Sequence, residues 1–158
     1  MMTNLPDPSL PHAYVRGDAG ARDALLDAWL PLVLQWAARL GGARVDAEDA
    51  AQDVFIVVLR KLEDLRDLDG FPPWLFGVTR RVVSQHRRRA WLRRWVPGAS
   101  TERVSERPGP EADTARAELG RQVLELLERL PTAQREALVL CEMEERTVVE
   151  AAALTGVP

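Results

Sequence analysis

Residues 70–95 read GFPPWLFGVTRRVVSQHRRRAWLRRW, with seven arginines (Arg80, Arg81, Arg87, Arg88, Arg89, Arg93 and Arg94) and no Asp or Glu. The chain on either side is acidic. Residues 1–69 and 96–158 each carry seven basic and twelve acidic side chains, so a centre of +7 lies between two flanks of -5 in a protein of net charge -3. Folding alone gives no reason for such segregation, whereas a polyanionic partner does.

Pro72 and Pro73 suit the first turn of a helix, where a missing N–H costs nothing, and no further Pro occurs before Pro97. At 100° per residue, Phe71, Leu75, Phe76, Val78, Val82 and Val83 fall on one arc and predict its buried side. The other arc carries Arg80, Arg81, Ser84, Gln85, Arg87 and Arg88, with Trp74 beside Arg81 and Gln85. An aromatic ring among arginines can stack on an unpaired base while guanidinium forks hold phosphates. The competing reading is a solvated basic face with a partly buried Trp.

The bulk numbers bound what else the chain can be. Its 158 residues at 46% hydrophobic content allow one moderate core or two small ones. No apolar run reaches the roughly 18 residues of a membrane span, and MMTNLPDPSLPH lacks a signal-peptide pattern, so a cytoplasmic protein is expected. The single Cys141 excludes an internal disulfide and fits a reducing compartment; between Leu140 and Glu142 it reads as packed more readily than as a redox sensor.

Before the basic helix, residues 1–11 contain Pro6, Pro8 and Pro11 and read as a loose arm, within an N-terminal segment 1–17. From Asp18 the pattern is helical, with Ala24, Leu25, Ala28 and Trp29 recurring at three and four residues. Pro31 is expected to break or kink it, and a second run from Leu32 to Leu40 ends at Gly41-Gly42. Asp46 is placed to cap the next helix, with Glu48 and Asp49 in its first turn. Its buried arc is Ala51, Val54, Phe55, Val58, Leu59, Leu62 and Leu65. Ile56 and Val57 fall outside that arc, on the face of Asp49, Asp53 and Arg60 with Gln52 at its border: either a docking patch with a charged rim or a face covered by another helix of the same domain. EDLRDLDG, residues 63–70, reads as a loop.

Past Trp95, PGASTERVSERPGPEAD loses periodicity and gathers Pro, Gly, Ser and charge, predicting a linker over 96–112. Beyond it Leu119, Val123, Leu126, Leu127 and Leu130 form one stripe, and Pro131-Thr132 opens a helix containing Ala137, Leu138 and Cys141. Thr147 with Glu150 has capping-box spacing, and the short Ala-rich helix that follows ends at Thr-Gly-Val, like the first half of a helix-turn-helix or an ordinary helical hairpin.

These stretches resemble the sigma-70 family of bacterial sigma factors, in its small extracytoplasmic-function (ECF) group. AEDAAQDVFIVVLRKL is similar to the family's region 2.2, FPPWLFGVTRRVVSQHRRR to regions 2.3 and 2.4, and LPTAQREALVLCEMEERTVVEAAALTGVP to region 4, with Leu130, Pro131, Gln134, Arg135, Glu136 and Leu138 in its opening pattern. The resemblance implies an all-α protein of two small domains: region 2 over 18–95 and an incomplete region 4 over 113–158. It implies a transcription initiation factor that binds RNA polymerase core at the beta-prime clamp helices through Asp49, Gln52, Asp53 and Leu59, next to the exposed Ile56. Minus-ten recognition and melting would fall to Trp74, Arg80, Arg81, Gln85 and Arg88, with Arg87 on the same arc, and loop 63–70 corresponds to the family's base-capturing loop. Arg81 stands where members commonly have Asn, and Gln85 where they often have Asp. The recognition helix would follow Val157-Pro158, so the chain is expected to be truncated within region 4, or part of a longer protein, and not to read a minus-35 element by itself. An anti-sigma factor is an expected further partner; no metal, cofactor or catalytic residue is.

Two other classes compete. A helix-turn-helix regulator that is no sigma subunit would use the Arg helix on duplex DNA, but leaves Ile56 and Val57 unexplained. An enzyme could use Asp46, Asp49 and Asp53 as metal ligands, but His12 and His86 lie far apart in sequence and acids in a first helical turn ordinarily answer the helix dipole.

Overall fold

The structure is a computed structural model that describes residues 5–96 and 114–156. The linker expected at 96–112 lies outside these apart from Val96, as do Val157 and Pro158. Among the described residues every regular element is helical: α1 Ser9–Val15, α2 Ala21–Gly41, α3 Ala47–Lys61, α4 Phe71–Arg93, α5 Thr114–Glu128, α6 Thr132–Leu138 and α7 Val148–Thr155. Short 3-10 turns follow α2 (Gly42–Arg44) and α3 (Leu62–Asp64), and a π-helical turn, Val139–Met143, extends α6.

Two expectations about the N-terminal part are corrected. Residues 9–11 are not loose: they begin α1, where Pro11 is buried and Leu10 and Tyr14 pack on the core. Pro is compatible with a first turn because that turn has no acceptor for its absent N–H. Nor does Pro31 break the chain into two helices, for α2 runs through it. Pro31 is on the exposed side, where water can satisfy the freed carbonyl, while Leu25, Trp29, Leu32, Val33 and Trp36 anchor the other side in the core.

Helices α2, α3 and α4 form the central bundle. Trp29 meets Phe71 edge to face at 5.0 Å and Trp36 meets Phe76 in the same way at 5.0 Å, so two aromatic pairs join α2 to α4. The α3 arc is as expected in Ala51, Val54, Phe55, Val58 and Leu62, whereas Leu59 and Leu65 are half-buried. In α4 the buried set is Phe71, Leu75, Phe76, Val82 and Val83, with Thr79 fully buried and Val78 only half-buried. Thr79 belongs inside because its Oγ1 donates to the Leu75 carbonyl at 2.9 Å, which leaves its methyl group to pack.

The C-terminal helices add to this core, since Leu127, Val139, Leu140, Ala151 and Leu154 are buried in the same hydrophobic cluster as α2–α4. The α5 stripe is less buried than its periodicity suggests: Leu127 is inside, but Leu119 and Leu126 are exposed. At the start of α7 the Thr147–Glu150 capping box forms in full, the Thr147 N–H donating to Glu150 Oε2 at 2.7 Å and the Glu150 N–H to Thr147 Oγ1 at 3.2 Å. Gly156 ends α7 in a left-handed conformation.

The junction of the two helical groups turns on Gly42, at φ +74° and ψ -164°. A Cβ there would lie 2.4 Å from Glu128 Cγ. Glu128 accepts from the Arg44 backbone N–H at 3.2 Å and faces Arg44 Nε at 3.5 Å, so moving it aside breaks both interactions. Gly42→Ala is therefore expected to destabilise the packing of α5 by about 1–3 kcal/mol, the usual cost of a non-glycine residue in this backbone region. Faster amide exchange in α5 would register the change; unchanged exchange would contradict it.

Candidate nucleic-acid interface

On α3, Asp46 caps the helix, its carboxylate accepting from the N–H groups of Glu48 (2.9 Å) and Asp49 (3.1 Å). That use accounts for Asp46 without a metal. Asp49, Gln52 and Ile56 are exposed, Ile56 by 46%, and no other helix of the described residues covers them. Leu59 and Val57 are half-buried. Spacings of three, four and seven put Asp49, Gln52, Asp53, Ile56 and Leu59 on one face. Asp53 is partly engaged, its Oδ2 lying 2.8 Å from His86 Nε2 on α4, which ties this face to the basic helix.

On α4 five of the six expected DNA-contacting residues separate into two sets, and Trp74 stands apart from both. Arg81, Gln85 and Arg88 are exposed along one stripe. Arg80 and Arg87 are half-buried and engaged within the protein: Arg80 Nη1 donates to Glu136 Oε2 of α6 at 3.1 Å and Arg87 Nη1 to the Leu40 carbonyl at the end of α2 at 3.2 Å. Burial lowers the Arg87 pKa, opposed by Glu128 and reinforced by nearby Arg44, although an arginine so placed stays charged. Trp74 is half-buried and packs against the core, its ring centroid 5.9 Å from that of Phe71. Its place on the polar arc therefore does not make it fully free.

The interactions that hold the C-terminal helices to this surface were not apparent in the sequence. Arg135 is buried and gives hydrogen bonds to four carbonyls: Leu127 (2.6 Å), Leu130 (2.8 Å), Glu128 (3.1 Å) and, across the junction, Leu40 (3.3 Å). Glu144, whose side chain is 0% exposed, accepts from Trp36 Nε1 at 2.9 Å and from Arg39 Nη1 at 3.2 Å. Burial raises the Glu144 pKa, against the opposing pull of the Trp36 N–H and of Arg39 and Arg146. The heptad spacing of Trp29 and Trp36 was the available signal for a buried indole. Its partner 108 residues away in the charged run EMEER carried none.

Sequence comparison places two family models along this architecture in order: Sigma-70 region 2 matches residues 25–101, and Sigma-70, region 4 matches residues 120–158. The chain is 32% identical over 161 residues to the RNA polymerase sigma factor NccH of Alcaligenes xylosoxydans xylosoxydans, an alignment covering 96% of this chain and 86% of NccH. The chain belongs to the sigma-70 family, in its ECF group. It is also 33% identical over 149 residues to the ECF RNA polymerase sigma factor SigE of Mycolicibacterium smegmatis, covering 89% of this chain and 58% of SigE. The fold agrees: CnrH, solved in complex with the cytosolic domain of CnrY, superposes with a TM-score of 0.66 at 26% identity, over 96% of this chain and 84% of CnrH.

This sigma factor is accordingly a transcription initiation factor, and the regulator that is no sigma subunit is not favoured. Its region 2 match takes in most of α2 and all of α3 and α4, so the α3 face and the Arg81–Gln85–Arg88 stripe both lie in region 2. Glu136 and Glu144 lie in region 4. No helix of the described residues is long and apolar enough to cross a membrane.

Proposed function

We propose that this sigma factor acts in the cytoplasm, binds RNA polymerase core at the beta-prime clamp helices through Asp49, Gln52, Asp53, Ile56 and Leu59, and engages the promoter's minus-ten element through α4. The observation that carries the reading is the adjacency of two unlike surfaces, the exposed Gln52–Ile56 face of α3 and the acid-free stripe of α4, linked by Asp53 and His86. An apolar residue in a polar rim suits a protein partner, and unopposed guanidinium groups suit phosphates.

No covalent step is required of the chain. Arg81 and Arg88 neutralise phosphates of the separated strand, Gln85 offers an amide to a base edge, and the accessible part of Trp74 can stack on an unpaired base; holding unpaired bases lowers the free energy of the open duplex. Arg80 and Arg87 join once released from Glu136 and Leu40. The CnrH–CnrY complex supports an anti-sigma factor as a further partner.

Binding to phosphates gives a salt signature. In holoenzyme binding to a forked promoter, Arg81→Ala with Arg88→Ala is expected to weaken affinity and to reduce the slope of log affinity against log salt by about 0.7 for each single-strand phosphate no longer neutralised. An unchanged slope would contradict the assignment of these arginines to phosphates.

A further inference from the structure

Beyond the Arg81–Gln85–Arg88 stripe, α4 ends in side chains that promoter binding leaves unused. Arg94 is exposed there, and so are two indoles, Trp91 by 54% and Trp95 by 72%, their rings 5.9 Å apart and inclined at 58°. Indoles left in water forgo the burial that usually keeps Trp inside, and a pair of them beside charge marks a contact surface.

Trp91 lines a cavity of about 500 Å³ that opens between the end of α2, the end of α4 and α5. Arg44, Arg87, Arg94 and Arg129 line it as well, together with Glu125 and Glu128. Four guanidinium groups against two carboxylates leave an excess of two positive charges, and a concave wall of low dielectric concentrates their field. Glu128 is already committed, accepting from the Arg44 N–H at 3.2 Å and facing Arg44 Nε at 3.5 Å. Burial and the neighbouring Arg44 depress the Arg87 pKa by more than Glu128 restores it, so the cations crowd one another. An anion entering the cavity relieves that repulsion.

We propose that this cavity is a binding site for a purine nucleoside triphosphate, with the base stacked on Trp91 and the phosphates held by Arg44, Arg94 and Arg129. Guanidinium forks match phosphate oxygens two at a time, and three exposed ones suit a polyphosphate better than a single phosphate. An indole face stacks on any base, and a purine offers it the larger ring. Glu125 supplies an acceptor for an amino group of the base or a ribose hydroxyl. The volume falls within the range of about 300–1,000 Å³ usual for small-molecule sites and suits one nucleotide rather than a strand. The site shares Arg87 with the residues assigned to DNA but none of Arg81, Gln85 and Arg88, so it stands apart from the promoter surface.

Calorimetric titration of the full chain with GTP, ATP and inorganic tripolyphosphate tests the site, at about 0.15 M salt, where attraction between exposed charges is screened beyond about 8 Å. The parent is expected to bind all three. Trp91→Ala is expected to weaken both nucleotides by about tenfold, the scale of one base stacked on an aromatic ring, and to leave tripolyphosphate unchanged. Arg94→Ala with Arg129→Ala is expected to weaken all three ligands by at least about tenfold, as the loss of charge-assisted hydrogen bonds implies. Arg22→Ala with Arg60→Ala removes the same charge from exposed positions outside the cavity and is expected to leave all three affinities as they were. Trp91, Arg94 and Arg129 are exposed, so these variants are expected to keep the parent's unfolding midpoint.

A folded parent that binds neither GTP nor ATP would overturn the proposal. Equal losses in the control pair would do so too, because binding would then follow net charge rather than this cavity. Nucleotide affinities indifferent to Trp91→Ala would leave a general anion site and overturn the assignment to a nucleotide.

Discussion

Arg135→Ala is expected to detach the C-terminal helices from the α2–α4 bundle and to destabilise the protein by about 3–5 kcal/mol, on the basis of charge-assisted hydrogen bonds worth roughly 1.5–3 kcal/mol each. The guanidinium is buried, and its three nitrogens serve the carbonyls of Leu127, Glu128, Leu130 and Leu40 together. Removing it leaves those acceptors without their donor at the α5–α6 turn and deletes a bond across the junction. Arg135→Lys is expected to recover little, because an ammonium cannot span four acceptors with the geometry of a planar fork. Denaturant unfolding, with amide exchange in α6 to localise the change, checks both; a stable Arg135→Lys protein would show that charge, not the fork, is what matters.

Phe71→Ala is expected to cost about 3–5 kcal/mol, the usual range for truncating a buried aromatic residue. Phe71 is 0% exposed, stands at the first position of α4 and meets Trp29 edge to face. The cavity would open at the entrance to the basic helix and remove the ring beside Trp74. Thermal or denaturant unfolding measures the effect, and near-ultraviolet circular dichroism is expected to weaken as two Trp environments loosen. A destabilisation well short of that range would mean that the site collapses around the smaller side chain.

Most of α3 and α4 was legible because each buries one face against its neighbours, and a 3.6-residue period survives wherever burial is one-sided. Thr79 escaped that pattern since its hydroxyl is satisfied within its own helix, a local bond that hydropathy does not register. Pro31 misled because tertiary packing of Trp29, Leu32 and Val33 outweighs a single missing hydrogen bond on the solvent side. The α5 stripe misled in the opposite sense: periodicity marks a face, and only the neighbours decide whether it is covered, as it is at Leu127 and is not at Leu119 or Leu126.

The candidate site was legible to the same extent. Angular position put Arg81, Gln85 and Arg88 on the polar side of α4 and Ile56 outside the buried arc of α3 with Gln52 at its border, leaving open whether that α3 face is covered; all five are exposed, whereas Val57 is half-buried. The engagement of Arg80 by Glu136, of Arg87 by Leu40 and of Glu144 by Trp36 depends on pairs 47 to 108 residues apart. No local pattern encodes such distances.

The reading of α3 as a polymerase-binding face meets its most direct test in the affinity of the full chain for sigma-free RNA polymerase core, measured beside Gln52→Ala with Ile56→Asp. Both positions are exposed, so the pair is expected to fold as the parent does, with unchanged unfolding midpoint. The parent is expected to bind, and the pair to bind at least about tenfold more weakly, as follows when a central apolar residue of an interface is replaced by a charge. Equal binding by the two proteins would contradict the assignment of this face.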